Sequence, residues 1–230
     1  MSSSIKFVAL AALFDAALAA FGPAFSSGPV ANGAYIIDAI STLVVPEGNS
    51  PFAGDFSLWC GMGTSAGDLI QSIVNRTPNN SPGTNTPCET VTTSTEWCGF
   101  AYTLFESGEQ DISTQARINT GDHVQFHYIY NSGTGNYTQY LSQNGNVVST
   151  LSTSDGQAQG WGTATECADD NCGTFPAHQW INTVITLSSA DPGYGSTQGQ
   201  SGGTTNSGFT TSDGGVSWEV STINIPSFTY

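Results

Sequence analysis

Apolar and polar residues alternate along this chain in short bursts separated by turn-forming residues. The clearest burst is His123 to Tyr130. Val124, Phe126, Tyr128 and Tyr130 fall on one face, and His123, Gln125, His127 and Ile129 fall on the other. A sustained period of two marks a strand with one buried face. Ala34 to Val45 is apolar and β-branched and stops at Pro46. Phe56 to Gly61 and Leu69 to Val74 form two runs across a glycine-rich turn, and Trp97 to Phe105 is aromatic and apolar. Tyr137 to Leu141 and Val147 to Leu151 flank Gln143-Asn144-Gly145-Asn146. Asn-Gly there predicts a hairpin, because both residues accept the positive φ a tight turn needs. Trp180 to Leu187 and Val216 to Ile225 supply further strands, while 75–88 and 192–206 read as loops. No helical period or internal repeat is visible. The pattern predicts an all-β fold of two packed antiparallel sheets, a concanavalin A-like jelly-roll sandwich.

The first residues follow a different rule. Lys6 precedes an apolar run from Phe7 to Phe14, and Ala17-Leu18-Ala19 supplies small residues at a cleavage site. This predicts a signal peptide over 1–19, a short extension over 20–33 and one sandwich domain over 34–230. No other stretch is long and apolar enough to span a bilayer. Three sequons make Asn75, Asn79 and Asn136 glycosylation candidates, in keeping with a secreted, extracellular protein. The five cysteines are Cys60, Cys88, Cys98, Cys167 and Cys172. Cys167 and Cys172 enclose a loop short enough for a disulfide. Cys88 and Cys98 can bracket a second, leaving Cys60 as a buried thiol, or Cys60 pairs with one of them.

Charge narrows the partners. The chain holds 3 Lys+Arg against 18 Asp+Glu, a formal net charge of −15. Without the leader only Arg76 and Arg117 remain as cations. Such a chain repels phosphate backbones and anionic lipid, so neither nucleic acid nor membrane is an expected partner. Its self-repulsion is relieved as carboxylates protonate, which suits an acidic medium.

The candidate chemistry follows by elimination. There is no Gly-x-Ser-x-Gly elbow, and Cys60 has no electropositive neighbours to hold a thiolate. No Cys-x-x-Cys or histidine-rich spacing predicts a metal site, and Asp169-Asp170 is a weak calcium signal. His123 and His127 read as a wet sheet surface. Glu106, Glu109 and Asp111 come nearest to paired glycosidase carboxylates, but their spacing is that of a turn. A glycosidase with carboxylates from different strands stays open, and so does a site of one carboxylic acid and one amide. There the acid takes a proton from an attacking water and the amide stabilises the oxyanion.

Phe56-Ser-Leu-Trp59-Cys-Gly61 followed by Leu69-Ile-Gln71-Ser-Ile-Val74 resembles the glutamic peptidases of fungi, the eqolisins. Gly121-Asp122-His-Val124 resembles that family's Gly-Asp-x-Ile strand start, and Thr163-Ala-Thr-Glu166-Cys167 its strand bearing the catalytic Glu. The pieces keep the family's order from Ile37 to Ile225. The resemblance implies a curved β-sandwich cleaving peptide bonds at acidic pH, with a polypeptide substrate, a monomeric state and no cofactor. Glu166 becomes the general base and acid, Gln71 the oxyanion stabiliser, and Trp59 a cleft residue that binds substrate. Where the family shows Tyr-x-Glu, this chain has Phe100-Ala-Tyr102-Thr. The alternative reading is a non-catalytic carbohydrate- or surface-binding sandwich, and a glycosidase is third.

Overall fold

A computed structural model of the chain describes residues 20–77, 96–168 and 171–230. The predicted leader, the Asn79 sequon, Cys88 and Asp169-Asp170 lie outside the described residues. The strands begin with β1 (Ala20–Phe21), β2 (Ala24–Ser27), β3 (Ile36–Val44), β4 (Phe56–Thr64), β5 (Leu69–Arg76) and β6 (Glu96–Leu104). They continue with β7 (Gln110–Ile112), β8 (Ala116–Asn119), β9 (His123–Asn131), β10 (Asn136–Gln143), β11 (Asn146–Thr153) and β12 (Ala158–Cys167). The last are β13 (Thr174–Phe175), β14 (His178–Leu187), β15 (Gly199–Ser201), β16 (Thr205–Asn206), β17 (Ser217–Ile225) and β18 (Phe228–Thr229).

Sixteen of these strands form two antiparallel layers, and β13 pairs with β18 apart from them. The first runs β11-β10-β9-β3-β14-β17-β16. The second runs β15-β2-β12-β4-β5-β6, with β1 also on β12 and β7 and β8 on β6. One bridge, Ala158 to Ile36, joins the layers. The alternation decides which side of each strand is buried. Val124, Phe126 and Tyr128 of β9 meet Leu58, Cys60 and Met62 of β4 in the main core. Tyr128 ties the layers by hydrogen bonds: its hydroxyl donates to the Cys60 carbonyl (2.6 Å) and accepts from the Ser72 amide (2.9 Å). Asn144 and Gly145 take φ of 49° and 85° in the β10–β11 turn, as their sequence requires.

Residues 20–33 are more than an extension, because β1 and β2 pair with β12 and Phe25 is fully buried. Their alternation is too brief to be read without the distant partner strand. The segment 192–206 likewise holds a 3₁₀ turn, Tyr194–Thr197, that buries Tyr194 against Phe209 and Trp218. Cys167 and Cys172 are bonded, Cys60 is a free buried thiol, and Cys98 is disulfide-bonded to a partner outside the described residues. No helix of the described residues is long and apolar enough to cross a membrane.

Candidate functional site

In the second layer, register decides which side chains share the face turned away from the main core. Gln71 of β5 stands opposite Tyr102 of β6 on one side and Gly61 of β4 on the other, and Gly61 stands opposite Gly162 of β12. Two residues along, Phe100, Ile73, Trp59 and Ala164 form the next row. Two further on come Cys98, Asn75, Ser57, Glu166 and Phe21. A period of two keeps all three rows on one face.

This face is unusually buried for an outer one. Trp59 is 1% exposed and Gln71 5%, and no described strand packs over them. Trp59, Leu69, Ile73, Tyr102 and Ala164 make an apolar cluster of their own, flanked by Phe100 and Leu104. Phe21, half exposed, meets the Trp59 indole edge-on at 6.5 Å. The Trp59 indole N–H donates to Glu166 Oε2 at 2.7 Å. Burial pushes the Glu166 carboxyl above its ordinary range; the indole bond opposes this and the Asp55 charge adds to it. The Tyr102 phenol is pushed up to about 12, by burial first and by the Glu166 charge second. Gln71 Oε1 is buried without a hydrogen-bond partner.

Gln71 and Glu166 therefore share a face, as the sequence suggested. From the Gln71 row, Glu166 lies four residues along β12 and two strands across, which is about 13 Å by about 10 Å. The Trp59 ring stands on the strand between and holds the carboxyl. The Glu166 charge reaches Tyr102, one strand beyond Gln71, so the carboxyl and the amide share one electrostatic neighbourhood. Trp59 is the floor of the face rather than an exposed wall. Gly61 and Gly162, facing Gln71, are glycines for a reason of space. A Cβ on Gly61 would lie 2.6 Å from the Ile70 carbonyl and 2.8 Å from Gln71 Cβ, and one on Gly162 2.9 Å from the Phe25 carbonyl.

Among the glycosylation candidates, Asn75 is the one held by several side-chain bonds. Its Nδ2 donates to Asp55 Oδ1 (2.5 Å), the Phe56 carbonyl (3.1 Å) and Ser57 Oγ (3.0 Å), so the nitrogen a glycan needs is committed. Asn136 keeps one long contact, to Ser152 Oγ at 3.4 Å. On the outer face of the first layer, His127 Nε2 lies 3.0 Å from Asp38. Tyr102 stands in the segment the sequence set beside Tyr-x-Glu, whereas the bare row beside Gln71 gave no signal, because it depends on strand register.

No family model and no curated protein sequence matches this chain. Solved structures do. A scytalido-glutamic peptidase with a peptide-based transition-state analog matches at TM-score 0.50 and 14% identity, covering 90% of this chain and 99% of that one. The two share a fold. An eqolisin in complex with the tripeptide Ala-Ile-His matches at 0.42 and 12%, covering 92% and 99%. A carbohydrate-binding module from Bacillus subtilis matches at 0.32 and 12%, covering 64% and 79%.

Proposed function

We propose that the recessed outer face of the second layer binds an extended polypeptide, and that the chain is a secreted protein of acidic media. One observation carries this: a buried amide, Gln71, keeps an unpaired Oε1 beside two glycines on an aromatic floor. A carboxamide has one donor group and one acceptor, which complements a peptide unit. Bare glycines let a second backbone approach the sheet closely. The peptide-based analog in the peptidase of the same fold supports a peptide over other polymers. The proposal asks for binding alone, and cleavage by the amide–carboxyl pair is the second reading.

A second reading keeps that pair. The chain is then an acid-acting glutamic-type endopeptidase, with Glu166 passing a proton from water to the leaving amine and Gln71 stabilising the oxyanion. The raised Glu166 carboxyl favours it. The deciding experiment incubates the mature protein with a denatured protein from strongly acidic to neutral pH. Glu166→Gln and Gln71→Ala run alongside, with peptide binding followed by tryptophan fluorescence. The binding proposal expects no cleavage and a saturable titration that weakens about tenfold, or 1.4 kcal/mol, in Gln71→Ala. Cleavage that disappears in Glu166→Gln overturns it in favour of the peptidase.

A further inference from the structure

The rows of the Gln71 face differ in access. Trp59 and Gln71 are buried, whereas Ser57, Asn75 and Glu166 are partly exposed and Phe21 is 45% exposed. The row that carries Glu166 is therefore the open end of the face, and it is acidic. Asp55 joins it through Asn75, whose Nδ2 donates to Asp55 Oδ1 at 2.5 Å. The Trp59 indole engages Oε2 of Glu166, which leaves Oε1 for a ligand. Phe21 stands directly opposite Glu166, one strand spacing or about 5 Å away.

Neither arginine of the mature chain answers this charge. Arg76 is buried, with its guanidinium 4.0 Å over the Phe52 ring. Arg117 is paired with Glu96 at 2.6 Å and lies four strands from Glu166. Burial raises the Glu166 carboxyl, and the charge that acts on it, Asp55, raises it further. A carboxylate that has lost water and faces another anion is stabilised by a cation that a ligand brings. An aromatic ring at the same spot adds a cation–π attraction. The independent sign of a ligand on this face is Gln71 Oε1, buried without a partner.

We propose that this end of the face receives a lysine or arginine side chain of the bound polypeptide, its cationic head held by Glu166 Oε1 and set against the Phe21 ring. The inference rests on the reading that the face binds an extended polypeptide, and it names the class as basic. An extended chain with a backbone N–H on Gln71 Oε1 reaches Glu166 within about five residues. The net charge of −15 draws basic chains toward the molecule before any contact forms.

The test is a calorimetric titration of the mature protein at neutral pH with end-capped peptides whose single charge is one lysine, and with the same peptides carrying norleucine or glutamate in its place. The lysine peptides should bind at least about tenfold more tightly than the norleucine ones, and the glutamate ones most weakly. Glu166→Gln, which keeps an acceptor for the indole, should bring lysine and norleucine within about twofold of each other. Phe21→Ala should cut the preference about threefold. Glu219→Gln removes the same charge from an exposed position on the other layer and should keep the full preference, which separates a local contact from net charge. Phe21 is half exposed, so its variant decides alone if Glu166→Gln does not fold. Equal binding of lysine and norleucine peptides, a preference that survives Glu166→Gln, or a folded Phe21→Ala with the wild-type preference overturns the inference. If the peptides still weaken in Gln71→Ala, the polypeptide reading then stands without it. No binding of any peptide overturns both.

Discussion

Glu166 accepts its hydrogen bond from an indole rather than from a cation, and burial outweighs that bond in raising its carboxyl. The charge is felt at Tyr102, three strands away, over a buried apolar face. Glu166→Gln should therefore lower the Tyr102 phenol below about 12 without returning it to its ordinary value, since burial remains the larger cause. Tyrosine-specific NMR across alkaline pH reads this, and an unmoved Tyr102 would show the coupling to be absent. Asn75 makes a second residue-scale case. The sequon was legible, but the three bonds that commit its nitrogen were not. Glycopeptide mass spectrometry of the secreted protein should find Asn136 occupied and Asn75 bare.

Strands were the most legible elements, since alternation and turn chemistry act locally. The predicted runs at Phe56, Leu69, His123 and Tyr137 all lie within strands, and the Asn144-Gly145 hairpin forms as its φ angles demand. The β4–β5 pair shows what register adds. Gly61 reads as an unremarkable strand glycine until it is placed opposite Gln71, where a methyl has no room. Gly61→Ala should cost about 2 kcal/mol through overpacking, seen as a lower denaturant midpoint at constant m value. Tyr128→Phe should cost a similar amount, about 1–3 kcal/mol, because it leaves the buried Ser72 amide without its acceptor.

The whole molecule balances two buried groups against each other in acid. Asp155 is fully buried, accepts a bond from Thr153 Oγ1 at 2.7 Å and leaves Oδ1 unpaired. Burial, the largest cause, pushes its pKa from 3.8 up to about 6. The stability it contributes is present below the unfolded value and fades as pH rises through the folded one. His178 has the opposite sign. Its pKa falls from 6.5 to about 4, so its contribution is present at neutral pH and fades as pH falls through that window. Between about pH 4 and 6 the two slopes oppose. Relative to wild type, Asp155→Asn should grow more stable as pH rises across this window, and His178→Phe less stable. A melting-temperature drift of about 5 °C either way is the expected scale. Parallel pH profiles for all three proteins would refute the account.

The sequence by itself determined the all-β class, the hairpin turn, the Cys167–Cys172 disulfide and the presence of Gln71, Trp59 and Glu166 on strands. Each of these follows from residues near one another in the chain, where period, turn geometry and loop length act directly. Only the tertiary structure decided that β1 and β2 complete the second layer, that two glycines share the Gln71 row, and that Trp59 binds Glu166 on the same face. Those facts depend on register between distant strands. A shift of one residue turns every side chain to the other face, and no local pattern records which register the packed core selects.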